Sequence, residues 1–258
     1  MPRIARKKSK SGIYHVIVRG INRQDIFHEE EDYTKYLEGL KRAQDISKFE
    51  IYGYCLMSNH VHLLLHEKIE SMESIMKRVG VSYASWYNKK QERVGHVFQD
   101  RYKSEPIDSD AYLLSVLRYI HNNPVNAQLV LQAEDYMWSS CRKYSDSNKY
   151  LGDMVNTGFI LKIFDECGEI AQQRWQVFMK QDSNDKFLDI EEKQQKIKDE
   201  RLYEEIQKIL KGQSLGELQS MEKASRDKII RKIKSIEGVT QRQIARVTGI
   251  NQSLVFKA

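Results

Sequence analysis

The chain has 258 residues, a formal net charge of +6, and 40% apolar and 30% charged residues. That length can bury a full core and suits one large domain, or one with a small appendage, in a globular protein rich in solvated helix. The three cysteines, Cys55, Cys141 and Cys167, are odd in number, far apart and in no CxxC pair, which excludes a disulfide framework or zinc ribbon and points to a reducing cytoplasm. The basic N-terminus lacks the apolar stretch of a signal peptide, and no apolar run approaches membrane-spanning length, so no membrane partner is expected.

The basic residues gather at the ends. Arg3, Arg6, Lys7, Lys8 and Lys10 precede any acidic residue, and from Arg226 to Ala258 eight basic residues face only Asp227 and Glu237. Two basic ends on a near-neutral middle suggest a polyanionic partner, most simply nucleic acid; two solvated surfaces are the alternative.

In chain order, "IYHVIVRG" (13–20) alternates and is β-branched, which predicts a strand. Tyr33, Tyr36, Leu37, Leu40 and Ala43 then fall at helical spacing. "FEIYGYCLM" and "HVHLLLH" predict two more strands joined through the turn-forming pair Ser58-Asn59. A long amphipathic helix is predicted over "MESIMKRVGVSYASWYNKKQ" and an extended piece over "VFQDRYKSEPI". "SDAYLLSVLRYIHNN" follows as a helix capped by Ser109 or Asp108 and ended by Pro124. The order β-α-β-β-α-β-α predicts an α+β, ferredoxin-like domain, an antiparallel sheet with helices on one face, over residues 1–146.

Residues 147–200 read as a helical extension and charged linker: short helices over "TGFILKIFDECGEIAQQRWQVFMK", then the apolar-poor "QDSNDKFLDIEEKQQKIKDE". Residues 201–258 read as an all-α region. Its end fits a helix, a turn at Gly238, a helix, a turn at Gly249-Ile250 and a third helix, with Ile244, Ala245 and Val247 on the inner face and Val255 packing the last helix. That is helix-turn-helix spacing; an amphipathic hairpin with no DNA role is the alternative.

The histidines of the third strand stand out. With a side-chain period of two, His60, His62, Leu64 and His66 share one face, and Val61, Leu63 and Leu65 the other, which is the expected core face. Cα atoms at i and i+2 lie about 6–7 Å apart, close enough for two imidazoles to converge on one cation. Hydrogen-bonded buried histidines are the other reading. His66, at the strand end, is peripheral, and core packing is expected of His15. A structural zinc site with Cys55 fails, since Cys55 lies across a turn and no fourth ligand is evident.

"YCLMSNHVHLLL" resembles the His-hydrophobic-His motif of HUH single-strand endonucleases. With "YHVIVRGINRQDIF", "GHVFQDRYKS", "YLLSVLRYIHNNPV" and "DYMWSSCRKY", residues 12–145 resemble the single-tyrosine transposases, in the REP-associated branch. The tail is similar to the helix-turn-helix domain of bacterial replication initiators. By position, the resemblance implies His60 and His62 as metal ligands and Tyr119 as nucleophile. Asn123 stands where insertion-sequence relatives carry a metal-binding glutamine; at i+4 it shares a helix face with Tyr119, whereas His121 faces elsewhere. Tyr112, two turns earlier, is the alternative nucleophile.

Arg19, Asn22 and Arg23 are implied as a DNA-contacting loop, a solvated loop being the alternative. Gln99, Arg101 and Lys103 are expected on one strand face, with Arg101 and Lys103 on phosphate; in the tail, Arg242, Arg246, Asn251 and Ser253 are the expected DNA contacts. The implied activity is Mg²⁺- or Mn²⁺-dependent cleavage and strand transfer of single-stranded or hairpin DNA through a 5′-phosphotyrosine. A homodimer is allowed but not required for cutting. The rival is a regulator that binds nucleic acid without cutting it.

Overall fold

The computed structural model describes residues 6–145, 154–181, 199–210, 214–236, 239 and 241–257. The chain forms two compact units, 1–188 and 189–258. Most of the charged segment 181–200 and the expected turn at Gly238 lie outside the described residues.

In the first unit, β1 (Ile13–Arg19), α1 (Glu30–Ser47), β2 (Glu50–Met57), β3 (His60–His66), α2 (Met72–Lys90), β4 (Lys103–Ile107) and α3 (Asp110–Asn126) follow the predicted order. The sheet runs β2-β3-β1-β4 with every pairing antiparallel, the ferredoxin-like arrangement. Met57 pairs with His60 across the Ser58-Asn59 turn, so β2 and β3 form a tight hairpin. The carboxylates of Glu29 and Asp32 complete a capping box at the start of α1. Asp32, fully buried, also accepts a hydrogen bond from Lys90 Nζ at 2.7 Å, which ties α1 to the end of α2.

Of the two candidate caps for α3, Ser109 serves, accepting from the Tyr112 N–H at 3.4 Å. The Asp108 carboxylate instead takes bonds from Ser9 and Lys10. Pro124 does not end α3, which runs on to Asn126. A proline one turn from a helix end forfeits a single backbone hydrogen bond, so the last turn survives it.

The helices divide between the two faces of the sheet. Val18 of β1 lines a cavity with Tyr36 of α1 and Met76 of α2, so the Val16, Val18, Val61 and Leu63 face meets α1 and α2, the expected helical layer. On the other face, which carries His60 and His62, runs α3: a Cβ at Gly53 would overlap Leu117 Cδ1. Because α3 covers this second face, Leu64 and His62 are as buried as Leu63; β3 therefore has two core faces, not the single one expected from its alternation.

The predicted extended piece over 97–107 is a strand only from Lys103. Phe98 touches the sheet through one bridge to Gly20, and residues 99–101 bend. Gln99, Arg101 and Lys103 consequently do not share a strand face. Beyond the sheet, Trp138 stacks on Tyr33 with centroids 4.5 Å apart. The short helices α4 (Arg142–Ser145), α5 (Thr157–Phe164) and α6 (Gly168–Met179) close this unit, with fully buried Trp175 stacked on Tyr144 and edge-on to His121.

The second unit packs α7 (Asp199–Leu210), α8 (Leu215–Ser220), α9 (Lys223–Lys234), α10 (Gln241–Thr248) and α11 (Gln252–Lys257) around Leu202, Ile206, Ile230, Ile233, Ile244 and Val255. Gly249, at φ +70°, makes the expected turn between α10 and α11, where a left-handed backbone favours glycine.

Candidate active site

The β1–β3 register sets Arg19 opposite His60 and Ile17 opposite His62, so His15, Ile17 and Arg19 share the histidine face. On this face the rings of His60 and His62 meet edge to face, 4.9 Å between centroids. α3 brings the Tyr119 ring edge-on to His62 at 5.6 Å and to His15 at 6.1 Å. One strand pair and one helix thus bring His60, His62 and Tyr119 together.

The side chain of Asn59 orients His60. Its Oδ1 lies 2.6 Å from His60 Nδ1, while its amide nitrogen donates to the Arg23 carbonyl at 3.4 Å. A carbonyl oxygen only accepts, so this network assigns the His60 proton to Nδ1 and makes Nε2 the unprotonated ring nitrogen. The turn beneath is pinned as well: the Ser58 carbonyl accepts from the Ile26 and Phe27 N–H groups, and the Asn59 carbonyl from Gly20.

His62 is 1% exposed, and its Nδ1 lies 3.0 Å from His15 Nε2. Burial, then the charges of His60, His15 and Arg19, push its pKa well below the ordinary histidine value. Burial alone lowers that of His15 to about 3. Both rings are therefore neutral at physiological pH, the form in which imidazole binds metal.

Asn123, one turn beyond Tyr119, donates its amide N–H to the Tyr119 carbonyl at 2.9 Å, a bond that does not engage Oδ1. Among the described residues no group of three or more His, Cys, Asp or Glu could hold a metal. The donors the ring geometry brings together are the imidazoles of His60 and His62. Two nitrogens alone fit an ion that takes its remaining ligands from water or a bound anion.

The remaining expected residues lie as follows. Asn22 and Arg23 form an exposed turn after β1, both with left-handed backbone (φ 51° and 62°). Arg101 and Lys103 are exposed along the β4 side. His121 faces away from the site, buried with its Nε2 2.8 Å from Ser140 Oγ. His66 sits at the far end of β3, against Tyr52 Oη and Glu50.

In the second unit Arg242 is exposed, but Arg246 forks onto Asp199 at 2.7 and 2.8 Å. Asn251 caps α11 by accepting from the Ser253 N–H at 2.8 Å. Both of these side chains already have partners within the protein. Sequence reasoning missed Asn59 and His15; the only signal for either was a polar side chain beside, or on the strand next to, the histidine pair.

Residues 8–123 match the family model described as "Transposase IS200 like". Among solved structures, the chain is similar to a REP-associated tyrosine transposase bound to a REP hairpin, at 19% identity and a TM-score of 0.48, covering 55% of this chain and 84% of that one. It is also similar to a candidate transposase from Deinococcus radiodurans R1, at 16% identity and a TM-score of 0.33, covering 47% and 97%. No curated protein matches the chain. No helix among the described residues is long and apolar enough to cross a membrane. The matched segment holds β1 to β4, His60, His62 and Tyr119, and over residues 8–123 the chain is similar to the IS200-like transposases.

Proposed function

We propose that the protein is a metal-dependent, single-strand-specific DNA endonuclease and strand transferase acting on hairpin-bearing DNA, with Tyr119 as nucleophile. The observation that carries this reading is the edge-on approach of Tyr119 to His62, beside His60. A protein that only binds nucleic acid has no use for a phenol converging on a histidine pair.

In this reading Tyr119 Oη attacks the scissile phosphorus and the bond to the 3′-oxygen breaks, giving a 5′-phosphotyrosine and a free 3′-OH. The phenolic proton passes to solvent as the 3′-oxygen takes one up. A second 3′-OH reverses the step, with no need for ATP, because the phosphotyrosine conserves the bond. His60 Nε2, His62 Nε2 and Asn123 Oδ1 would hold a Mg²⁺ or Mn²⁺ ion, whose Lewis acidity neutralises charge on the phosphate oxygens. Arg19, Asn22, Arg23, Arg101 and Lys103 line the strand's path as phosphate contacts.

The second unit, with α10, the Gly249 turn and α11 as a helix-turn-helix, supplies duplex affinity through Arg242 and Ser253. The test is incubation with labelled single-stranded hairpins and Mn²⁺. An SDS-resistant protein–DNA adduct is expected, and cleavage with no such adduct at any time point overturns the tyrosine mechanism.

A further inference from the structure

We propose that His15 is a positioning residue for His62: its Nε2 accepts the His62 Nδ1–H, fixing the ring so that His62 Nε2 is turned to the reacting phosphate. The proposal rests on the metal reading of His60 and His62 and adds to it a residue outside the ligand set.

Three observations carry it. First, His15 Nε2 and His62 Nδ1 are 3.0 Å apart, and the two rings are nearly parallel, 20° between planes. One proton must lie between the two nitrogens. Second, His15 is fully buried and, among the described residues, its Nδ1 has no hydrogen-bond partner and its one polar contact is with His62. A buried imidazole kept only for volume would be served as well by an apolar side chain; this one meets a candidate ligand. Third, the partner histidine is matched. At His60 the orienting acceptor is Asn59 Oδ1, which puts that proton on Nδ1. With His15 as the acceptor at His62, both imidazoles are protonated on Nδ1 and both present Nε2.

A ligating histidine normally has its non-ligating N–H held by an acceptor, and loss of that acceptor typically costs about 10- to 100-fold in metal affinity. The acceptor here is another histidine, from the neighbouring strand, where a carboxylate or carbonyl is usual. Its ring edge also meets Tyr119, so the same side chain sets the floor on which nucleophile and ligand sit.

The experiment measures Mn²⁺ binding to the full-length protein without DNA, by calorimetry and by the electron paramagnetic resonance signal of free Mn²⁺. His15→Phe keeps a ring but removes the acceptor; His15→Gln keeps an acceptor oxygen near the position of Nε2. The expected result is a loss of about 10- to 100-fold for His15→Phe and a change within about threefold for His15→Gln, with the His60→Ala/His62→Ala double variant binding no Mn²⁺. Melting temperatures recorded without metal separate loss of the acceptor from loss of fold. Should His15→Phe not fold, ¹⁵N spectra of the Mg²⁺-loaded wild type decide, since a His62 protonated on Nδ1 is required. Wild-type affinity in folded His15→Phe, equal losses in both His15 variants, or an unprotonated His62 Nδ1 overturns the positioning role. The metal reading survives any of these as long as the double variant loses Mn²⁺. A wild type that binds no Mn²⁺ overturns both.

Discussion

The ring of Tyr119 stands edge-on to that of His62, with centroids 5.6 Å apart and planes at 87°. The two come from α3 and β3, elements distant in sequence, and they meet because α3 crosses the histidine face of the sheet. Tyr119→Phe removes only the hydroxyl from this contact. The variant should melt within a degree or two of wild type, bind hairpin DNA equally well, and give no covalent adduct. Tyr112→Phe should stay active. Peptide mass mapping checks the assignment: an adduct on any residue other than Tyr119 sinks it.

The proposed metal ligands should separate chemistry from affinity. His60→Ala should abolish cleavage while leaving most DNA binding, because affinity is dominated by phosphate neutralisation at the basic residues. His62→Ala should do the same and also lower stability by about 1–3 kcal/mol, since it leaves His15 without its partner. Asn123→Ala should be milder than either. Wild-type cleavage by the double histidine variant contradicts the site.

Gly53 allows α3 to lie close on the sheet. A methyl there would overlap Leu117 Cδ1, and Leu117 is fully buried with little room to turn. Gly53→Ala should cost about 1–3 kcal/mol by overpacking. Because α3 carries Tyr119, cleavage should slow more than DNA binding weakens. Single-turnover rates beside filter binding measure this, and equal losses in both would place the damage elsewhere.

Much of this arrangement was legible in the sequence. The strands and helices through Leu117 followed from period-two and helical spacing, and the alternation of "HVHLLLH" set His60 and His62 on one face. Periodicity within a strand does not reveal which residue lies opposite on its neighbour. The pairing that puts His15 beside His62 depends on antiparallel register, so His15 looked like core filler. The second buried face of β3 was equally hidden, because it depends on where α3 packs. Pro124 misled for a local reason: proline is a strong stop in a helix interior but a weak one in the last turn.

Asp32 gives a pH-dependent test of the fold apart from the site. Burial alone would raise its pKa; the Lys90 ammonium and the N–H groups of His28 and Glu29 outweigh that and hold it below the ordinary value. A depressed folded pKa means stability that is present above the unfolded pKa and lost as pH falls through the folded one. Asp32→Asn should therefore destabilise by about 1–3 kcal/mol at pH 7, with the gap from wild type closing as pH falls below the ordinary carboxylate value. Urea melts at pH 7 and pH 3 measure it, and a gap constant with pH rules out the charged contact as its source.

The two arginines of α10 should behave differently, although they lie four positions apart on one helix. Arg242 is exposed, while Arg246 is forked onto Asp199 of α7, which also accepts from Gln243. If the second unit contributes duplex affinity, Arg242→Glu should weaken binding to hairpin DNA with a duplex stem. It should also make the dependence of log K on log salt shallower by about one counterion. Cutting of a short unpaired strand should be unchanged, because no residue of this unit is placed in the chemistry. Arg246→Ala should act mainly on structure. Without its partner, Asp199 keeps, among the described residues, only Gln243, so the α7–α10 contact should loosen and the second unit become more sensitive to proteolysis, with a smaller change in salt slope than Arg242→Glu produces. Limited proteolysis and salt titrations on the two variants separate these outcomes. Identical salt slopes for Arg242→Glu and wild type would remove α10 from the DNA interface.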